Sequence, residues 1–329
     1  MKNREYGGYN TFSPDRKSAN NLLSRNNLYS LNLGRNALRL LLSVRKPDVI
    51  YAPYYTCYSI HNALNSVVPE VRYYHIDDKF QPLVPTEEIA QNCLILINNY
   101  FGVFEKPVNS IIEQCGGQVI IDNSQGIYSE FPSNIDQIFS PRKFFGVTDG
   151  GLLLTEREIK DIYLSLPVDK SSERIKHLFS AEETSKNSCY QEYLEYRKSI
   201  QNLELMRMSA STAGLLKSID LEYCRIRRHR NFIRMHENLG EYNELNIPVE
   251  TPGGAMCYPF LYKNSDLKHR LVQNKIYIGT YWPVSSMASS SSLFETRLRD
   301  EMCCLPIDQS MDDDDIEYVA KTVMSIINM

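Results

Sequence analysis

Short apolar runs alternate with amphipathic stretches along the first half of this chain. Residues 36–45 and 107–115 place apolar side chains at the spacing of one helix face, and Pro47 ends the first of these helices. Apolar runs of strand length lie at residues 49–53, 71–77, 93–100, 118–122, 137–140 and 151–155. Buried strands separated by helices predict an α/β fold with a mostly parallel sheet that helices cover on both faces.

Polar residues follow four of these predicted strands at the point where each strand ends. They occupy residues 54–59, 98–102, 122–125 and 140–143. Parallel sheets of this kind bind ligands outside the carboxyl ends of their strands. We therefore expect a functional site where these four segments meet.

The pattern changes after Thr155. Residues 156–200 are polar and helical, and residues 207–239 predict one long helix, either straight or kinked. This helix carries Arg225, Arg227, Arg228, Arg230 and Arg234. Because the formal net charge of the chain is −4, a solvated or subunit-facing helix side with Arg–acid pairs explains these arginines better than nucleic-acid binding does.

After residue 255 the pattern predicts a smaller α/β unit. Its elements are strands at 256–262 and 276–282, a helix at 265–273 and a mobile loop at 285–292. Asp312 to Asp315 precede a final amphipathic helix, where acidic residues suit the helix N-terminus. We predict a large domain over residues 1–220 and a small C-terminal domain over residues 221–329.

Composition and charge narrow the function classes. The 329 residues, 43% hydrophobic and 23% charged, are ordinary for a two-domain globular protein. A net charge of −4 gives no general case for binding nucleic acid or an anionic membrane. No run of about 18 apolar residues predicts a transmembrane helix, and the polar N-terminus lacks the apolar core of a signal peptide, so we expect a cytoplasmic protein. The eight cysteines and six histidines have no metal-binding spacing, so no metal site is expected.

Three residues near these strand ends have the chemistry of a pyridoxal phosphate site. Lys143 could form a Schiff base with this cofactor, and Asp122 could hold its pyridine nitrogen protonated. Gly34 lies at the start of the first helix, where the helix N-terminus favours a phosphate. Spacing alone leaves other roles open, since Asp122 could cap a helix and Lys143 could be a surface residue.

Several segments, in the right order, resemble one enzyme family nearly from end to end. NLGRNAL (32–38) is similar to its phosphate loop, IIDNSQ (120–125) to its [IV]-x-D-x-A-Q motif, and FSPRKFFGVTDGG (139–151) to its lysine signature. Further similar segments are APYYTCYS (52–59), NYFG (99–102), residues 205–228, IYIGTYWPV (276–284) and CLPIDQSMDDDDI (304–316). Together they resemble the DegT/StrS family of pyridoxal-phosphate-dependent nucleotide-sugar aminotransferases, of fold type I.

The resemblance implies a role for each matching residue. Lys143 would bind the cofactor covalently, Asp122 would pair with the pyridine nitrogen, and Gln125 would lie near the cofactor's 3-hydroxyl. The phosphate would be held by Gly34, Arg35, Asn36 and Ser140. The family's sheet is mostly parallel and seven-stranded. Its members are homodimers in which the other subunit completes each active site and the small domain covers it.

The sequence departs from the family around the cofactor. Arg35 replaces the phosphate-loop threonine; it could bind the phosphate bidentately or turn away to pair with an acid. Cys57 replaces the aromatic residue that stacks on the cofactor ring, and Tyr58 or Tyr100 could take its place. The departures indicate a divergent member of the family.

A further departure concerns the neighbouring subunit. Leu205 stands where the family has an asparagine that reaches the partner's phosphate, and Arg207 of the same motif remains. Arg207 and Tyr100 are the candidate substrate residues.

The sequence therefore predicts an aminotransferase that moves an amino group, from glutamate or another donor, to a keto-sugar nucleotide. Lys143 would also act as base and acid for the proton shift. Two alternatives stay open. The same cofactor could serve a non-sugar ketone or aldehyde, or the chain could be a degenerate binding or regulatory member of the fold, although the presence of Lys143 and Asp122 argues against the second.

Overall fold

The structure of the protein is a computed structural model that describes residues 6–8, 22–250, 253–264, 266–282 and 293–328. The loop predicted at residues 285–292 lies outside these ranges. No helix within them is long and apolar enough to cross a membrane.

A seven-stranded sheet forms the centre of the described structure. The described residues contain eleven strands in all, seven in this sheet and four in two smaller sheets: β1 Tyr6–Gly7, β2 Leu28–Leu31, β3 Val49–Pro53, β4 Glu70–Tyr74, β5 Cys93–Asn98, β6 Val119–Asp122, β7 Asp136–Phe139, β8 Gly151–Leu154, β9 Tyr258–Leu261, β10 Ile276–Tyr277 and β11 Met302–Leu305. The central sheet has the order β2–β8–β7–β6–β5–β3–β4. β8 is antiparallel to both neighbours, and the other pairs are parallel, so the predicted mostly parallel sheet is confirmed.

The six strands predicted from apolar runs correspond to β3 through β8. The sequence did not predict β2, a four-residue strand at the edge of the sheet that is only partly buried. Its apolar signal is too short to be distinguished from a loop, and its pairing with β8 creates the strand.

Eleven α-helices surround the sheet in the described ranges. They are α1 Gly34–Arg45, α2 Tyr58–Asn65, α3 Glu105–Cys115, α4 Lys160–Ser165, α5 Lys176–Glu183, α6 Tyr190–Ser199, α7 Ala210–Ser218, α8 Leu221–Leu239, α9 Leu267–Gln273, α10 Leu293–Asp300 and α11 Asp313–Ile327. Both sheet faces are buried. In β5, Leu94 and Leu96 pack with α1 and α2, whereas Ile95 and Ile97 pack with α3, α8 and α11.

The single helix predicted over residues 207–239 is in fact two helices. α7 ends at Ser218, and α8 begins after Asp220, whose side chain accepts a hydrogen bond from the Tyr223 amide. The predicted Arg–acid pairs are present: Arg225 pairs with Glu222, and Arg230 and Arg234 pair with Asp313. Arg228 differs from this group because it is buried.

The elements after residue 220 join the rest of the chain through one core. β9 pairs with β11, and the N-terminal strand β1 pairs with β10. The predicted final helix is α11, which starts with a capping box between Asp312 and Asp315. A single hydrophobic cluster contains side chains of β5 and α3 as well as of α8, α9 and α11. The division into two domains at residue 220 stays a prediction.

A close backbone approach fixes the start of α1 against the sheet. Gly151, the first residue of β8, lies so near the α1 N-terminus that an added Cβ would sit 2.1 Å from the Leu33 carbonyl carbon and 2.4 Å from the Gly34 nitrogen. No side chain other than hydrogen fits in this space. The glycine of the D-G-G segment therefore sets where α1 begins.

We predict that Gly151→Ala destabilises the protein by about 2–3 kcal/mol, because the methyl group forces two backbone segments apart. Urea unfolding at equilibrium would measure the loss. The matched control is Gly214→Ala inside α7, where an added Cβ meets nothing within 4 Å. This control should be stabilising by about 0.5–1 kcal/mol, since alanine is the better helix former. Equal stability of the Gly151 variant and the wild type would contradict the close approach.

Candidate active site

A cavity of about 790 Å³ opens at the carboxyl ends of the parallel strands. Residues of all four polar segments that follow predicted strands line it, including Cys57, Asn98, Asp122 and Lys143. The α/β topology brings these segments together because β3, β5, β6 and β7 run in the same direction. The predicted meeting point of the four segments is therefore confirmed.

The first turn of α1 forms one corner of this cavity. Leu33 precedes the helix and supplies no side-chain cap, and the positive end of the helix dipole favours an anion here. A Cβ added to Gly34 would lie 3.4 Å from Ser124 Oγ and 3.6 Å from Ser140 Cβ. Gly34, Ser124 and Ser140 thus form a small polar corner beside a helix N-terminus.

Asp122 and Gln125 lie on the loop that follows β6. Asp122 is the last residue of this strand, is 8% exposed, and accepts a hydrogen bond from the Ser124 amide (2.8 Å). The Gln125 side-chain oxygen accepts from the Phe101 amide (3.1 Å), whereas its Nε2 is buried with no hydrogen-bond partner among the described residues. A buried donor without a partner costs about 1–3 kcal/mol. This amide is therefore placed to donate to a bound ligand.

Lys143 reaches the cavity from a short 3-10 helix, Pro141–Lys143, that follows β7. Its backbone amide donates to the Ser140 carbonyl (3.0 Å). Within the described ranges its Nζ forms no hydrogen bond or ion pair. An amine in a cavity with no such partner is available for reaction with a ligand.

The residue after Lys143 is held by the C-terminal part of the chain. Phe144 is fully buried, and its carbonyl accepts a hydrogen bond from Gln309 Nε2 (3.0 Å). The guanidinium of Arg228 lies over the Phe144 ring at 5.0 Å and donates to Gln309 Oε1 (2.7 Å). Arg228 and Gln309 therefore fix the backbone that carries Lys143.

The two predicted stacking positions after β3 both line the cavity but differ in exposure. Cys57 is partly buried, with its Sγ 2.9 Å from Ser59 Oγ. Tyr58 is 56% exposed and lies at the rim. The structure therefore places a thiol, and no deeply buried ring, at this position of the wall.

Three predicted site residues lie outside the lining of this cavity. The Asn36 amide donates to Asn32 Oδ1 (2.9 Å) and to the Glu204 carbonyl (2.8 Å). The Tyr100 hydroxyl donates to the Tyr55 carbonyl inside the core (2.7 Å). Arg207 donates to the Leu166 carbonyl (3.0 Å) and lies over the Tyr163 ring. Their assignment to cofactor or substrate stays a prediction, since each side chain is bonded to another segment of this subunit and none lines the cavity.

Of the two alternatives predicted for Arg35, the pairing with an acid is absent from the described residues, and the contact with a cofactor phosphate stays a prediction. The Arg35 guanidinium lines the cavity, but its Nη2 donates to the carbonyls of Ile200 and Gln201, and no acid pairs with it among the described residues. Burial, and then the neighbouring Arg142 guanidinium, lowers the pKa of Arg35 to about 10.

Sequence reasoning assigned no role to several lining residues. The largest are the aromatic side chains Tyr277, Tyr281 and Trp282 of the 276–284 segment, and Tyr193 and Tyr196 of α6. Ser124 and Arg142 were also missed, although each adjoins a predicted site residue or lies within a matched motif. Only the packing of α6 against the cavity distinguishes its tyrosines from those of a solvated helix.

His177 of α5 packs against α6. Its ring stacks on Tyr196 with centroids 4.2 Å apart, and its Nδ1 lies 3.0 Å from the Arg174 carbonyl, so Nδ1 carries the proton. Burial lowers the pKa of His177 from 6.5 to about 4; nearby Arg142 acts in the same direction and Glu192 in the opposite one. This histidine is therefore neutral at physiological pH.

Known structures share this architecture. A DegT/DnrJ/EryC1/StrS aminotransferase from Brucella abortus matches with a TM-score of 0.68 at 18% identity, covering 92% of this chain and 87% of that chain. A sugar aminotransferase from Micromonospora echinospora matches with a TM-score of 0.66 at 14% identity, covering 92% and 88%. NtdA from Bacillus subtilis, with its bound cofactor PMP, matches with a TM-score of 0.66 at 16% identity, covering 92% and 73%.

No protein-family model and no curated protein matches the sequence. At identities below one fifth, the structural likeness shows the fold. The chain has the α/β fold of these aminotransferases, and the predicted fold class, fold type I, is confirmed.

We predict that His177 makes the protein less stable in mild acid. Because its folded pKa of about 4 lies below its ordinary value of 6.5, the unfolded chain binds more protons between these two values, and stability falls as the pH drops through that window. His177→Asn keeps a donor for Arg174 but does not titrate. The free energy of unfolding in urea should therefore decrease less from about pH 7 to pH 4.5 in this variant than in the wild type. Parallel pH profiles would contradict the buried neutral histidine.

Proposed function

We propose that this chain is a pyridoxal-phosphate-dependent aminotransferase. The observation that carries the proposal is the placement of Lys143 Nζ, without a partner in the described ranges, in the same cavity as Asp122 and the uncapped α1 N-terminus. The neighbours support it, since one is a sugar aminotransferase and another holds PMP. A degenerate binding protein would have no need of a lysine without a partner in the same cavity as a strand-end acid.

The residues present fit this cofactor. The corner of Gly34, Ser124 and Ser140 suits its phosphate. The buried Gln125 Nε2, which has no partner in the described part of the chain, suits its ring oxygen. Asp122 would hold a proton on the pyridine nitrogen, and Lys143 would hold the cofactor covalently. When bound, pyridoxal phosphate supplies an electron sink for the carbon that loses its proton.

Lys143 has a second task in this proposal. Once an amino substrate has displaced it, its Nζ would remove the proton from the substrate carbon and return a proton to the cofactor side. The 3-10 helix that carries Lys143 is fixed through Phe144 by Arg228 and Gln309. This rigidity would keep Nζ within reach of the substrate carbon that loses the proton and of the cofactor atom that receives it.

The acceptor in this proposal is a keto-sugar nucleotide, and the donor is glutamate. The volume of the cavity and its aromatic wall of Tyr277, Tyr281 and Trp282 suit a ligand larger than an amino acid. Six Lys and Arg side chains line it against two carboxylates, which suits an anionic substrate. We also propose a homodimer, as the resemblance implies, and a cytoplasmic location.

We expect borohydride to attach pyridoxal phosphate covalently to the wild-type protein at Lys143. Lys143 is the lysine that lines the cavity beside Asp122, whereas Lys198 lies exposed at its rim. Peptide mass mapping would locate the adduct. Lys143→Ala should bind the cofactor without forming the adduct, and Lys198→Ala is the matched control that should form it. An adduct on another lysine would remove the basis of the proposal.

We expect glutamate to bleach the visible absorbance of the cofactor-loaded protein, which reports the first half of transamination. Asp122→Asn should retain the fold and much of the cofactor but slow this bleaching by about 100-fold or more, because the ring nitrogen loses its proton partner. Stopped-flow absorbance would give both rates. Bleaching of the variant at the wild-type rate would show that Asp122 does not act on the cofactor.

A further inference from the structure

Helix α6 and the turn after it, residues 190–201, form a brace that lines the cavity and accepts hydrogen bonds from Arg35 and Arg142. Tyr196 is buried on α6, its hydroxyl donates to the Thr148 carbonyl (2.9 Å), and its ring stacks on His177. Ile200, directly after α6, is also buried. These buried contacts of Tyr196 and Ile200 fix the segment to the rest of the protein.

Two arginines from different elements are held by this brace. Arg35, the second residue of α1, donates through Nη2 to the carbonyls of Ile200 and Gln201, the latter at 2.8 Å. Arg142, directly before Lys143, donates through Nη1 to the Tyr196 hydroxyl (2.6 Å). Both guanidiniums line the same cavity. One guanidinium nitrogen of each arginine is thus held by the brace, which orients the group.

The charge of this pair is not balanced by an acid on Arg35. No carboxylate pairs with Arg35 in the described ranges, and its Nε and Nη1 form no hydrogen bond there. Its pKa is lowered by burial and by Arg142 beside it. Holding two like charges together costs free energy, and an anion bound between them would recover it.

We propose that Arg35 and Arg142, braced by α6, form a phosphoryl-binding site at the α1 end of the cavity. The planar guanidinium fork matches the oxygens of a phosphate in a bidentate manner. The positive end of the α1 dipole at Gly34 also favours a bound anion. Both arginines and the brace belong to one chain, so the pair would compensate within one subunit for Leu205, which stands where the family has an asparagine that reaches the partner's phosphate.

The phosphoryl group has two sources, the cofactor and an anionic substrate, and the cofactor source rests on the proposed function. The experiment uses the full chain with Arg35→Gln, Arg142→Gln and the conservative Arg35→Lys. The matched control is Arg39→Gln, which removes a charge one helical turn further along α1 at a residue that does not line the cavity. Absorbance titration measures the dissociation constants of pyridoxal 5′-phosphate and of pyridoxal, which lacks the phosphate.

If the site holds the cofactor phosphate, Arg35→Gln and Arg142→Gln weaken pyridoxal phosphate binding by about 10- to 100-fold and leave pyridoxal binding unchanged. Arg35→Lys should weaken it less than Arg35→Gln. If the site holds a substrate phosphoryl group, the two variants bind pyridoxal phosphate with unchanged affinity. Calorimetry on the cofactor-loaded protein then shows that they bind UDP about 10- to 100-fold more weakly than the wild type does. The Arg39→Gln control should change each affinity by less than about 2-fold.

Three results would overturn the proposal. The first is an unchanged affinity of Arg35→Gln and Arg142→Gln for both pyridoxal phosphate and UDP. The second is a loss of affinity for pyridoxal as large as that for pyridoxal phosphate. The third is a loss of affinity in the Arg39→Gln control as large as that in these two variants. Binding of neither pyridoxal compound to the wild type would instead refute the proposed function. The arginine pair would then be tested with UDP on the cofactor-free protein, where an unchanged dissociation constant in Arg35→Gln and Arg142→Gln would overturn it.

Discussion

The shared direction of four neighbouring strands is the constraint on which the rest of this molecule depends. β3, β5, β6 and β7 run parallel, so the segments that leave their carboxyl ends must meet at one edge of the sheet. Those segments contain Cys57, Asn98, Asp122 and Lys143, which are far apart in sequence but line one cavity. The antiparallel strand β8 adds the start of α1 to this edge, because Gly151 allows the backbone at Leu33 and Gly34 to approach without a side chain between them.

The position of Lys143 depends on the part of the chain that follows residue 220. Phe144 is locked between the Arg228 guanidinium and the Gln309 amide, both from beyond residue 220. Buried arginine is costly unless its donors are satisfied, and here Arg228 also donates to the carbonyls of Ala255 and Met256. The C-terminal elements thus position Lys143 as well as covering the cavity.

Charge is distributed unevenly between the whole molecule and its cavity. The chain has a formal net charge of −4, yet six Lys and Arg side chains line the cavity against Asp122 and Asp308. The net charge argued against polyanionic partners such as nucleic acid, and that argument does not extend to a small anionic ligand. Low-dielectric walls strengthen the field of a few cations inside a cleft, so local composition decides which small molecules are attracted.

The sequence by itself determined the strand pattern, the mostly parallel sheet and the loops that would carry the site. Apolar runs of the right length are visible without tertiary context, and Asp122, Gln125 and Lys143 follow them at fixed offsets. Only the tertiary structure decided which neighbours of these residues face the cavity. Asn36, Tyr100 and Arg207 lie beside matching residues in sequence, but their side chains are directed to carbonyls of other segments. The same packing places α6 beside Arg35 and Arg142. The physical reason is that a strand end or a helix start fixes where the backbone is, whereas the direction of each side chain there depends on hydrogen-bond partners from remote parts of the chain.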